Sequence, residues 1–331
     1  MSTAVLALAP LLVQLAQLPA QHQAITGLAP PVSVAAGELR VITVSSPAPD
    51  AINMHMVETP EGLVLFDALR RSDQVELVLH AIQRTGKRPI GLFVTHAHTD
   101  HYGGVAFLKR RFPDLPVYAA PAVKAAMRSD PNGDNRRRRG MFGGRYPTQG
   151  EINAALPDRV VADRKAIEVG GLRIVPRVFG PSESLAATVY LLPQLGAAVS
   201  GDLVNVLTVA APVESLDAWL GQLHEIEQAV APGATLHVGH GPSGPARPLI
   251  AEQRRFLVTL RDAVAAALAS DGRVTEPERE RIVRDMQSAF PHYGGAAALS
   301  PDELIRQGVN WVARQQSDKN GAVPPSGLLK Q

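Results

Sequence analysis

Apolar and polar positions alternate along this chain in two rhythms. Residues 39–45, 51–58, 63–66 and 89–94 are short runs rich in β-branched and other apolar side chains, punctuated by Pro, Gly or Asp, and they read as strands. Over residues 73–84 the period changes, with Val75, Leu77, Val78 and Ile82 recurring at helical intervals. A short helix over 105–111, a strand over 117–119 and a short helix over 122–127 continue the alternation. Gly170-Gly171 separates strand-like pieces at 166–169 and 172–178, which is a hairpin signal. Residues 193–196 separate 187–192 from 197–200 in the same manner, and a helix over 216–229 and a strand over 235–238 follow. The second half therefore repeats the strand-rich-then-helix plan of the first without repeating its sequence. From Pro248 onward the pattern is helical, with helix-start signals at Thr275 with Glu278 and at Ser300-Pro301-Asp302-Glu303. Strands and helices in this order predict a layered α/β fold.

Three segments depart from that rhythm. Residues 1–37 carry no formally charged side chain, and their apolar run over 4–18 is broken by Pro10, Gln14 and Gln17. The run is too short and interrupted for a membrane span. It has the length of a signal-peptide core, followed by Leu18-Pro19-Ala20 as a passable cleavage site, but no Lys or Arg precedes it. Export to a periplasmic space is favoured over a cytoplasmic location; a packed apolar helix or a mis-set start is the alternative. Residues 129–150 contain Arg136 to Arg139 among Gly, Asn and Pro, and read as a long mobile loop at the rim of a site. Residues 317–331 are polar and read as a frayed tail. The expected organisation is an apolar segment over 1–37, a main domain over 38–245, a helical extension over 246–316 and a flexible tail over 317–331.

Composition narrows the function. The 331 residues carry 33 Lys and Arg against 31 Asp and Glu, a net charge of +2, with 45% apolar residues. That is globular composition with no basic excess, so a small-molecule substrate is expected and neither nucleic acid nor stable membrane insertion is. Nothing in the pattern sets an oligomeric state. Cysteine is absent, which excludes disulfides, thiolate zinc sites, Cys nucleophiles and dithiol redox chemistry. Any metal must be held by His, Asp or Glu.

Such residues cluster once. Residues 95–104 read Thr-His-Ala-His-Thr-Asp-His-Tyr-Gly-Gly at the end of an expected buried strand. His96 and His98, two apart, project to one side of an extended segment. Asp100 and His101 follow where the chain turns, so they can face a second point. Imidazole with carboxylate suits zinc, manganese or iron.

The run His96-x-His98-x-Asp100-His101 resembles the hallmark of the metallo-β-lactamase superfamily. Further pieces are similar: Asp67 closing Leu-Val-Leu-Phe-Asp, Asp202 in Gly-Asp-Leu, and His240 in Gly-His-Gly. The resemblance covers roughly 39–244 and implies an αββα sandwich with a metal site at one edge, here carrying a C-terminal helical extension. It implies two divalent ions, zinc first with manganese or iron as alternatives. His96, His98, Asp100, His101, Asp202 and His240 are the implied ligands, with Asp202 bridging, and Asp67 is expected to hold a ligand His by hydrogen bond.

One position departs from the pattern. Where the superfamily usually has a third His for its first metal, this chain has Glu183, in Phe-Gly-Pro-Ser-Glu-Ser and nineteen residues before Asp202. Either Glu183 is a ligand or the first site is degraded. Carboxylate ligation is sound for zinc, and an alkylsulfatase-like branch of the superfamily is similar in using Glu here. Glu183 is taken as a ligand.

The implied activity is hydrolysis of an ester, lactone, sulfate ester or related bond by a metal-bound hydroxide, with Asp100 orienting that hydroxide or taking its proton. A glutathione thioester is disfavoured because the C-terminal helices show no basic cluster. Two other classes stay open: an iron-dependent oxygenase on the same fold, and a non-catalytic binding protein with a degraded site. His55 and Asn53, alternating with Met54 and Met56, read as the polar face of a strand, and His237 as a structural neighbour of the site.

Overall fold

The computed structural model describes residues 39–48, 50–210, 214–296 and 299–319. The expected signal segment therefore lies outside the described residues.

Two six-stranded sheets face each other. The first holds β1 (Arg40–Ser45), β2 (Asn53–Glu58), β3 (Leu63–Phe66), β4 (Pro89–Phe93), β5 (Val117–Ala119) and β6 (Arg159–Val160), in that order. The second holds β7 (Ile167–Val169), β8 (Leu172–Phe179), β9 (Ala187–Leu192), β10 (Ala197–Gly201), β11 (Thr235–Val238) and β12 (Gly244–Pro245), again in chain order. β1 to β3 and β7 to β10 pair antiparallel, whereas β3 to β6 run parallel, as do β10 and β11. The Gly170-Gly171 turn takes φ of 58° and 78°, the double left-handed geometry that two-residue hairpins favour and glycine adopts without strain.

Alternation along each strand builds three apolar cores. On β3, Leu63 and Leu65 point to one side, where they pack with α1 (Ser72–Thr85), α2 (Thr99–Tyr102) and α3 (Val105–Arg111). Val64 and Phe66 point to the other side, where Phe93, Tyr190, Leu192 and Val199 join them between the sheets. Phe66 and Phe93 stack at 5.5 Å, and Tyr190 meets Phe93 edge-on at 5.3 Å while its hydroxyl donates to the Val94 carbonyl at 2.8 Å. Aromatic pairs of this kind contribute about 0.5–1.5 kcal/mol beyond burial, and they fix the end of β4 from which the His run departs. The outer face of the second sheet is covered by α7 (Leu216–Ala229), α8 (Ala246–Asp271), α9 (Glu276–Ala289) and α10 (Pro301–Lys319). The order of layers is helix, sheet, sheet, helix. The α/β sandwich with C-terminal helices is as expected.

Three details differ from expectation. Residues 129–150 are not an open loop: after α4 (Pro121–Ser129) the chain forms α5 (Asp134–Phe142), a 3-10 turn over Gly143–Arg145 and α6 (Gln149–Ala154). The reason is Asn135, which is buried and accepts hydrogen bonds from Tyr102 at 2.6 Å and Tyr146 at 2.5 Å. The arginines that made the segment look solvated are also good helix formers. The last helix continues to Lys319, past the expected boundary at 316. Asn53 and His55 are buried rather than on a wet face, because the second sheet covers the side of β2 they occupy.

Candidate metal centre

Every residue of the candidate centre sits just beyond the C-terminal end of a strand. Asp67 ends β3, Thr95 and His96 follow β4, Glu183 follows β8, Asp202 follows β10, and His240 follows β11. The two sheets are stitched together at this end. Thr188 N donates to the Thr95 carbonyl at 2.8 Å and Asn53 N donates to the Gly239 carbonyl at 2.8 Å. The loop carrying Glu183 is held against the start of α7, where Glu214 N and Ser215 N both donate to the Ser182 carbonyl. Gly239 is a glycine for a steric reason: a Cβ there would lie 2.0 Å from Asp202 Oδ1.

Seven side chains converge. His96, His98, Glu183 and Asp202 bring one ligand atom each to within 4.8 Å of one another, and so do Asp100, His101 and His240. Asp202 touches both groups. Its Oδ2 lies 3.6 Å from His96 Nε2 and 3.5 Å from His240 Nε2, and its Oδ1 lies 3.1 Å from His101 Nε2. Glu183 faces inward, with Oε1 3.0 Å from His98 Nδ1 and Oε2 3.9 Å from His96 Nε2.

The donor set fits a cation, as its unpaired atoms show. Among the described residues His96 Nε2, His101 Nε2, Glu183 Oε2 and Asp202 Oδ1 are all buried with no partner in hydrogen-bond geometry, although His101 Nε2 and Asp202 Oδ1 face each other at 3.1 Å. The opposite ring nitrogens are occupied. His101 Nδ1 donates to Asp67 Oδ2 at 2.9 Å, and His240 Nδ1 donates to the Ala51 carbonyl at 3.1 Å. Thr95 Oγ1 donates to Asp67 Oδ2 at 2.9 Å, so His96 Nδ1 donates to that same hydroxyl at 2.9 Å. Each of these imidazoles thus has its outer nitrogen engaged and turns its inner one to the centre, the arrangement that metal-ligating histidines use. Asp67 holds this pose in left-handed backbone, φ 63°, which costs energy for a residue other than Gly.

The electrostatics are strong and balanced. Burial alone would lower His98, His101 and His240, but the carboxylates outweigh it. Glu183 and Asp202 raise His98, Asp202 and Asp67 raise His101, and Asp202 and Asp100 raise His240 to about 9. Burial pushes the Asp202 carboxyl up, yet His101 and His240 hold it well below the usual carboxylate range. Asp100 is likewise held low, first by Arg70 against the cost of burial, then by His240 and His101.

Arg70 was not legible as a site residue in the sequence. It is fully buried, and its Nη2 lies 3.0 Å from Asp100 Oδ2 while its Nη1 donates to Asp50 Oδ1 at 2.8 Å. Asp50 is fixed in turn by Gln74 Nε2 at 2.8 Å and by Arg71. The only sequence signal for this chain of contacts is the position of Arg70 three residues after Asp67.

Comparison with known proteins agrees with this architecture. The sequence model of the metallo-beta-lactamase superfamily matches residues 47–264. A hydroxyacylglutathione hydrolase of Xanthomonas axonopodis pv. citri (strain 306) is 51% identical over 45 residues, which is 14% of this chain and 18% of that enzyme. The chain thus aligns with less than a fifth of the length of that curated relative. A metallo-beta-lactamase family protein from Thermus thermophilus shares the fold with a TM-score of 0.61 at 17% identity, over 87% of this chain and 96% of that one. The stereoselective inverting sec-alkylsulfatase Pisa1 from Pseudomonas sp. does so with a TM-score of 0.58 at 17% identity, over 86% of this chain and 52% of that one. With the family match spanning well over half of its residues, the chain belongs to the metallo-beta-lactamase superfamily.

Proposed function

We propose that this protein is a two-metal hydrolase acting on an ester, lactone or sulfate ester of a small molecule. The observation that supports it best is the set of buried inward atoms of His96, His101, Glu183 and Asp202 that have no hydrogen-bond partner among the described residues, with the outer nitrogens of His96, His101 and His240 already engaged. His96, His98, Glu183 and Asp202 would hold one divalent ion, and Asp100, His101, His240 and Asp202 the other. Ions bound there supply Lewis acidity and a water acidic enough to act as a nucleophile near neutral pH. Zinc suits the imidazole-rich set; the added carboxylate of Glu183 shifts preference toward manganese or iron relative to a three-His site.

The chain's own groups divide the remaining work. Asp202 sits between the two halves and fixes their separation. Asp67 and Thr95 orient His101 and His96, so neither ring has to reorganise during turnover. Asp100, sharing Oδ2 with Arg70 and His240, is a poor proton acceptor; it serves by accepting a hydrogen bond at Oδ1 and orienting the nucleophile. A glutathione thioester is not favoured despite the short match to hydroxyacylglutathione hydrolases. Arg254, Arg255, Arg279 and Arg306 on the C-terminal helices each pair with a Glu of the same helical layer.

Metal analysis of the purified protein, joined to turnover of aryl acetates, lactones and aryl sulfates, tests this reading. Two divalent ions per chain with hydrolysis of one class is the expected result. One iron per chain without hydrolysis would replace it with the oxygenase reading, and no metal at all would leave a binding protein.

A further inference from the structure

Arg136 to Arg139 stand out in the sequence, and the hydrolase reading leaves them unused. Three of the four are accounted for by the fold. Arg136 is exposed; Arg137 pairs with Asp134 and the Asn132 carbonyl; Arg139 donates to the Tyr146 carbonyl. Arg138 differs. It is partly buried, and among the described residues its Nε is buried without a partner and its Nη1 meets only the Met141 sulfur at 3.9 Å. Its helix packs against α2, the turn that carries Asp100 and His101, and is clamped there by the Asn135 contacts to Tyr102 and Tyr146. Arg138 therefore lies within electrostatic reach of both Asp100 and Arg70.

This is an unfavourable place for a spare guanidinium. Asp100 is already engaged by Arg70, and Asp50 by Arg70, Arg71 and Gln74. Asp130, Asp134 and Glu214 line the cleft beside His98, and Asp134 is paired with Arg137. Burial, then the neighbouring Arg70, disfavour the charged form of Arg138, and Asp100 and Asp134 offset them only in part. A cation kept half-dehydrated near another cation, and forming no ion pair among the described residues, is poised for an anion supplied from outside.

We propose that Arg138 is a specificity residue that binds an oxyanion carried by the substrate, a carboxylate or sulfate distinct from the bond being cleaved. The proposal rests on the hydrolase reading for the identity of its ligand as a substrate, but its binding test does not. A planar guanidinium takes either oxyanion in two parallel hydrogen bonds, and its lysine replacement cannot.

The test is calorimetric titration of benzoate and of benzenesulfonate, neither of which can be hydrolysed, into the protein as purified. Wild type and R136Q should bind at least one of them equally. R138Q should bind it about ten- to a hundredfold more weakly, the loss expected for a charge-assisted hydrogen-bonded pair, and R138K should fall between. Preference for one probe identifies carboxylate or sulfate. Equal affinity in wild type and R138Q, or no binding by wild type, overturns the proposal. Where turnover is found, the ratio of kcat/KM for 4-carboxyphenyl acetate to that for phenyl acetate should drop at least tenfold in R138Q; an unchanged ratio also overturns it. Absence of turnover on aryl acetates, lactones and aryl sulfates alike refutes the hydrolase reading while the titration still decides Arg138.

Discussion

Two groups of histidines, all buried except the half-buried His98, sit on the same sandwich and live in opposite environments. His98, His101 and His240 lie at the open edge among Asp100, Glu183 and Asp202, and the carboxylates raise their affinity for a proton. His55 and His237 lie between the sheets, rings 5.1 Å apart, with Thr43 Oγ1, Ser243 Oγ and the Val238 carbonyl as their partners. Burial pushes them down to about 4 and about 3. The first group attracts positive charge, and the second excludes it. A site is defined here not by histidines being buried or close together, but by which carboxylates share their volume.

Removing the shared carboxylate should break the first environment most severely. Asp202→Asn keeps the side chain's size but removes the charge that couples His96, His101 and His240. Metal content should fall below one ion per chain, and kcat/KM on any substrate found should drop about a thousandfold or more, the scale seen when a member of a catalytic set is lost. Two ions retained in Asp202→Asn would show that the bridge is dispensable.

Glu183 sharpens the comparison within the edge itself, because only the half containing His96 and His98 depends on it. Glu183→Ala should lose about one ion per chain and most of the activity, leaving the half around Asp100, His101 and His240. Glu183→His should recover the second ion with altered metal preference, since a neutral imidazole replaces a charge. Plasma emission measurements on the three proteins decide the matter; an unchanged two-ion count in Glu183→Ala would remove Glu183 from the ligand set.

A smaller effect is expected one step out. Asp67→Asn should leave all the proposed ligands in place but weaken the fixed tautomer of His101, lowering metal affinity about ten- to a hundredfold. Competition with a chelator of known affinity measures it. The same substitution should not alter the environment of His237, whose partners among the described residues are Ser243 and His55.

The edge group was legible because its chemistry is local. Three His and an Asp fall within six positions, and Asp202 and His240 each stand in a Gly-flanked turn that the resemblance recognises. The inter-sheet pair was not legible, because Asn53, Met54, His55 and Met56 alternate like a strand with one wet face. Only the second sheet, contributed by residues more than a hundred positions later, makes that face dry. Arg70 with Asp50 escaped for the same reason: an ion pair spanning twenty residues leaves no periodic trace. Residues 129–150 misled because Gly, Asn and Arg signal solvent locally, while the burial of Asn135 under two tyrosines is a tertiary event. The sandwich itself was legible from period changes, since nearly every strand keeps one apolar face per core.

The smallest effect concerns pH and acts on the two groups in opposite directions. For His55 and His237 the folded values lie below the ordinary 6.5. The unfolded chain therefore binds protons first as pH falls, so stability held above pH 6.5 is lost progressively toward pH 4 and below. For His240 the folded value is raised to about 9. Its contribution to metal-stripped protein is complete below pH 6.5 and is lost as pH rises toward 9; a bound cation, which displaces that proton, should abolish the alkaline loss. Denaturant midpoints measured across pH 4 to 9, with and without chelator, should show an acid limb common to both forms and an alkaline limb only in the stripped one. His55→Gln, which retains hydrogen bonding without a titrating ring, should shallow the acid limb and leave the alkaline limb alone. If His55→Gln instead flattened both limbs, the two groups would be one coupled system, and the contrast between a cation-seeking edge and a cation-excluding core would fail.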